Sequence, residues 1–176
     1  MIRLLRKVFS LFDLPDSPSE SQQAEAARGK DHRDAIIKAL KEVFVPVLRA
    51  RGFRGTLPHF RRVLPDRVDY LTVQFYSSGG SFVVEIASAG PDGKPRNYGK
   101  DLPVARLNVG YFSNRLRLGS NRAAGKADHW YVFGPRSYDD PEPLRPIDHY
   151  LAIAREVTAD LERQGEPWFL ANAGAA

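Results

Sequence analysis

The 176 residues include no cysteine, which removes disulfides, thiolate metal sites and a cysteine nucleophile together. A reducing compartment suits such a chain, so a cytoplasmic location is expected. No run approaches the roughly 18 apolar residues that a membrane-spanning helix needs. Arg6 and Lys7 interrupt the apolar residues near the N-terminus and no small-residue cleavage site follows, so no secretory signal is expected. Catalytic signatures are also missing. There is no GxSxG elbow, no HExxH, no glycine-rich phosphate loop and no EF-hand spacing. These absences weigh against an enzyme without excluding a site assembled from scattered residues.

What the chain does contain is enough for a folded domain. Hydrophobic residues make up 43%, aromatics 11% and charged residues 27%, the balance of an ordinary globular domain. The net charge of +5 is unevenly spread. Residues 28–67 hold 11 Lys/Arg against 4 Asp/Glu, whereas residues 137–176 hold 3 against 8. The two regions either neutralise each other in the fold or leave the basic one for an anionic partner. Mutual neutralisation is the simpler reading.

Periodicity divides the chain. Residues 1–12 read as an amphipathic helix, with Phe9 and Phe12 on the apolar side and Arg3, Arg6 and Lys7 opposite. Residues 13–29 read as a linker, and residues 30–176 as a single α+β domain. Its first helix is expected over 31–51, with a stripe from Ile36 to Leu48, a kink at Pro46 and a stop at Gly52. Five strands follow, over 59–64, 67–76, 81–87, 104–112 and 129–133, with Ser77-Ser78-Gly79-Gly80 as a hairpin turn. Residues 113–128 read as a loop. A last helix is expected from Pro146 to Gln164, stopped by Gly165, with Trp168, Phe169 and Leu170 as an apolar tail. This order predicts a two-layer α+β sandwich, an antiparallel five-stranded meander covered by two helices, with the N-terminal helix as an extra element.

Several short motifs carry a family resemblance: Val47-Leu48 leading to Gly52-Phe53, Phe60 with Arg62, Val73-Gln74, Phe82 to Ile86, His129-Trp130-Tyr131, and Gly165-Glu166-Pro167-Trp168-Phe169. Together they resemble an uncharacterised bacterial family, domain of unknown function number 4304, over residues 31–169. The resemblance implies a fold and a bacterial source. It implies no activity and no catalytic residues.

The candidate site residues follow from the strand pattern. If Leu71, Val73 and Phe75 face the core, then Tyr70, Thr72, Gln74 and Tyr76 face outward, joined by Glu85 and Asn108 from neighbouring strands. Aromatics among polar groups suit a protein partner or stacked single-stranded bases, and equally a half-solvated sheet face. Arg115, Arg117, Arg122 and Lys126 in the 113–128 loop are candidate anion contacts. His32 and His149 read as surface residues. His59 and His129 can act together only if their strands adjoin. Asp139, Asp140 and Glu142 read as loop carboxylates beside a helix start. No metal site or cofactor is expected.

Three functions remain in view. A non-catalytic protein-interaction module, with self or another protein as partner and the N-terminal helix as tether, leads. That helix can also touch a membrane surface, though three turns are short for anchoring. A single-stranded nucleic-acid binder is second. A hydrolase or transferase using His59, His129, Glu85 and the tyrosines is third.

Overall fold

The computed structural model describes residues 20–95, 102–121, 124–125, 128–140 and 142–173. The expected helix over residues 1–12, with Arg3, Arg6, Lys7, Phe9 and Phe12, lies outside them, as do Arg122 and Lys126. Helix α1 (Glu20–Ala39) begins inside the segment read as a linker. The Glu, Gln and Ala of that stretch are strong helix formers, which outweighs its lack of large apolar residues.

Two prolines shape the helices in the same way. Helix α1 runs into a π-turn (Leu40–Phe44) and then α2 (Val45–Ala50), with Val45 N–H bonded to the Leu40 carbonyl. Pro46 follows at once. A proline has no N–H and crowds the carbonyl one turn back, so a widened turn ahead of it relieves the clash. The kink expected at Pro46 thus takes the form of a π-turn. Helix α3 (Ile147–Asp160) repeats this with a π-turn (Leu161–Gly165), Pro167 and α4 (Glu166–Ala171). Gly165 therefore does not stop the helix. Phe169, read as part of a tail, is a buried residue of α4.

Among the described residues, six antiparallel strands form one sheet: β1 (Arg54–Thr56), β2 (His59–Val63), β3 (Val68–Phe75), β4 (Ser81–Ala89), β5 (Leu116–Arg117) and β6 (Tyr131–Val132). The order is β1-β2-β3-β4-β5, and β6 also pairs with β4, through Ser81 and Phe82. On one face, Phe60, Leu71, Val73, Phe82, Val84 and Ile86 pack against Leu40, Phe44, Leu48, Ile153, Val157, Leu161 and Phe169 of the helices. The α+β architecture with helices against the sheet agrees with the sequence expectation. At the β3–β4 end, Gly80 lies so close to Gly134 that a Cβ would overlap its backbone, which ties the hairpin to the segment after β6.

The expected fourth strand is absent. Residues 104–112 instead form two 3₁₀ turns, Val104–Arg106 and Val109–Tyr111. Pro103 precedes the first, and the Asn108 side chain accepts the Gly110 N–H at 2.9 Å, capping the second. Local side-chain bonding of this kind competes with a strand ladder. The turns drop Leu107, Val109 and Phe112 onto the outer sheet face, where they enclose Val68, Tyr70, Ala87 and Ala89 in a second core. The strand beside β4 comes instead from Leu116–Arg117, within the expected 113–128 loop.

His32 is also a correction. It is buried in α1, with Nδ1 2.8 Å from the Tyr150 hydroxyl and Nε2 3.1 Å from the Glu142 carbonyl. It pins α1 to α3 and the preceding loop. Among the loop carboxylates, Glu142 pairs with Arg145 and Asp140 accepts the Ser137 N–H, so they organise the loop itself.

Candidate functional site

Strand register assembles a polar row across the outer face of the sheet. His59 on β2 faces Thr72 on β3, Thr72 faces Glu85 on β4, and Glu85 faces Arg117 on β5. In-register residues of an antiparallel sheet project to the same side, close enough for direct contact. His59 Nδ1 lies 3.1 Å from Thr72 Oγ1, and Arg117 donates to Glu85 at 3.2 Å. A second nitrogen of Arg117 reaches Asp128 at 2.8 Å, and its guanidinium lies over the Trp130 ring at 5.4 Å.

A pocket of about 290 Å³ opens on this row, lined among others by Arg33, His59, Thr72, Gln74, Glu85, Asn108 and Arg115. Six of the residues marked from the sequence are therefore brought together: His59, Thr72, Gln74, Glu85, Asn108 and Arg115. Two of those expected on the outward face are not. Tyr70 is buried in the second core and donates to the Gly93 carbonyl at 2.6 Å, and burial pushes its phenol up to about 12. Tyr76 lines a separate groove of about 550 Å³ with Trp130, Val132, Pro135 and Arg136. Ser81, in register with Val132, points to the same outer face as Glu85, so pocket and groove share that face.

Electrostatics favours an anionic visitor in the pocket. Arg33 stacks on Phe75 at 4.8 Å and has no carboxylate partner among the described residues. Glu85 is held by Arg117 at 3.2 Å and approached by Arg115 at 3.8 Å, so its charge is already matched. Arg33 and Arg115 thus leave the pocket with surplus positive charge. The groove differs in character, since Tyr76 and Trp130 meet edge to face at 5.8 Å and Val132 is exposed beside them.

The row could in principle serve acid–base chemistry. His59 beside the Thr72 hydroxyl has the outline of a base and a nucleophile. Among the described residues, no carboxylate bonds the other imidazole nitrogen to orient it, and Glu85 is tied to arginines. His59 and His129 do not meet, because β3 and β4 stand between β2 and β6.

Burial lowers the pKa of His59 below 6.5, and burial followed by Arg145 does the same for His149. The unfolded chain therefore takes up protons at these residues before the folded one does. Stability from this source is complete above pH 6.5 and is expected to decline as pH falls below it. Urea midpoints measured on either side of that pH should show the decline, and His59→Gln combined with His149→Gln should flatten it.

The sequence reading missed a second polar row on the helix-facing side. Arg62, Asp69 and Ser88 are in register across β2, β3 and β4, and Arg67 and Glu166 complete the cluster. Asp69 shares the parity of Leu71 and Val73, and a carboxylate on the core parity of a strand signals a buried ion pair. Tertiary contact supplies its partners.

No curated protein and no solved structure matches the chain. The sequence profile of a family described as a domain of unknown function (DUF4304) matches residues 44–141, which include β1 to β6 and all the pocket residues named above except Arg33. By that match, over more than half of its length, the chain belongs to the DUF4304 family.

Proposed function

We propose that this chain is a non-catalytic protein-interaction module, and that the outer sheet face binds an acidic segment of a partner protein. The observation that supports it most is the pairing of an exposed aromatic groove with a cationic pocket on one face. Tyr76 and Trp130 are of the types that dominate binding energy at interfaces, and Arg136 lies beside them. Arg33 and Arg115 supply the charge that selects an acidic neighbour. An apolar side chain in the groove followed by a carboxylate in the pocket fits this arrangement. The absence of cysteine and the family resemblance support placing the protein in a bacterial cytoplasm. No helix among the described residues is long and apolar enough to cross a membrane.

Recovery of the tagged protein from its native cells, with and without nuclease, tests the proposal. A stoichiometric protein with an acidic segment should survive nuclease. Its affinity should fall by at least about 2 kcal/mol, roughly 30-fold, in Trp130→Ala. Arg115→Glu should slow association and reduce its salt dependence. A partner that both variants retain would refute the assignment of this face. Recovery of nucleic acid alone would favour the single-stranded nucleic-acid reading instead, for which Tyr70 is buried and Tyr76 and Trp130 remain as exposed aromatics.

A further inference from the structure

A different set of ligand-type groups converges between β6 and α3. Glu156 and Asp160 are four residues apart on α3 and so project from one helix face. His129, two residues ahead of Tyr131 in β6, reaches the same place. One donor atom from each of the three lies within 4.8 Å of the others.

The imidazole is held in position. Gly119, at φ +77°, abuts the His129 ring so closely that a Cβ there would overlap it. The Tyr131 ring meets it edge-on, with centroids 4.5 Å apart. So placed, His129 Nε2 is shielded from solvent and has no hydrogen-bond partner. It stands 3.9 Å from Glu156 Oε1, too far for a hydrogen bond. A buried polar atom left unpaired is costly, so its place beside Glu156, in a cluster that includes Asp160, calls for an explanation.

We propose that His129, Glu156 and Asp160 bind one divalent transition-metal cation of the zinc type. One nitrogen and two oxygens form a donor set that zinc accepts, with water as a fourth ligand, whereas calcium and magnesium favour oxygen alone. Ligands about 2.0–2.1 Å from one ion must draw closer together than 4.8 Å. Glu156, whose side chain is 52% exposed, is free to make that movement. Asp160 is already supported from behind, because Tyr131 donates its hydroxyl to Oδ2 at 2.7 Å. Such outer-shell bonds orient ligating carboxylates. Arg163 lies 2.5 Å from Asp160 Oδ1 and competes with the cation. Its side chain is 69% exposed, so it turns to solvent when the cation binds.

Titration of the chelator-treated full chain with Zn²⁺ by calorimetry, and with Co²⁺ by visible absorption, tests the site. One saturable event per chain is expected. His129→Gln and Glu156→Gln should each weaken it by more than about 10-fold, the scale on which even supporting partners matter. Arg163→Ala should strengthen it, an effect that a merely structural cluster would not give. Circular dichroism of the metal-free variants checks that they are folded. The proposal is overturned if the wild type shows no saturable binding, or if either His129→Gln or Glu156→Gln binds like the wild type.

Discussion

Replacing Asp69 with alanine is expected to lower stability by about 3–5 kcal/mol, the range for removing one partner from a buried ion pair. Asp69 is fully buried, and its carboxylate accepts from Arg62 Nε at 3.0 Å, Arg67 Nε at 3.2 Å and Ser88 Oγ at 2.9 Å. Both arginines are nearly buried, so neither charge can recover full hydration once the carboxylate is gone. Arg62 also lies against the adjoining Phe53 and Phe169 rings, at 4.6 and 5.2 Å, and donates twice to Glu166. That arrangement fastens α4 to the sheet. The loss should appear as a lower urea midpoint with unchanged slope. Glu166→Gln should cost less, because its side chain is 22% exposed and Asp69 remains beside Arg62. A cost below about 1 kcal/mol for Asp69→Ala would mean that water compensates both guanidiniums.

A loss of comparable size, about 3–5 kcal/mol, is expected for Phe82→Ala. Phe82 has no exposed surface, and its ring lies 5.1 Å from Tyr131, 5.4 Å from Phe75 and 6.1 Å from Phe133. Its backbone pairs with Tyr131, so the same residue holds β6 by ladder and by ring contact. The cavity left behind would loosen β6 and, with it, the adjoining Trp130 and His129. Denaturation followed by tryptophan fluorescence checks this, with Trp168→Phe as background so that Trp130 reports alone. An unfolding midpoint like that of the parent would show that the neighbouring rings collapse into the space.

How far the sequence carried the fold is clearest in β3 and β4. Alternation of Leu71, Val73 and Phe75, and of Phe82, Val84 and Ile86, predicted both strands and the face they bury, and the Gly79-Gly80 turn placed the hairpin. The stripe from Ile36 to Leu48 likewise marked the helix that covers them. Alternation failed at 104–112, where apolar residues fit a strand and a pair of turns equally well. Pro103 and the Asn108 cap decided for turns, and Tyr70 passed from an expected open face into a second core.

The sequence by itself determined the α+β class, the β3–β4 hairpin and the placing of Thr72 and Gln74 on one face of β3. Those features rest on spacing between near neighbours, which the chain records directly. Only the tertiary structure decided that His59, Thr72, Glu85 and Arg117 form one row, and that His32 bonds Tyr150. It also brought His129 to Glu156 and Asp160, rather than to His59. Each of these depends on strand register or on helix docking between residues far apart in sequence. Register and docking follow from burying the whole apolar surface at once, which no local pattern specifies.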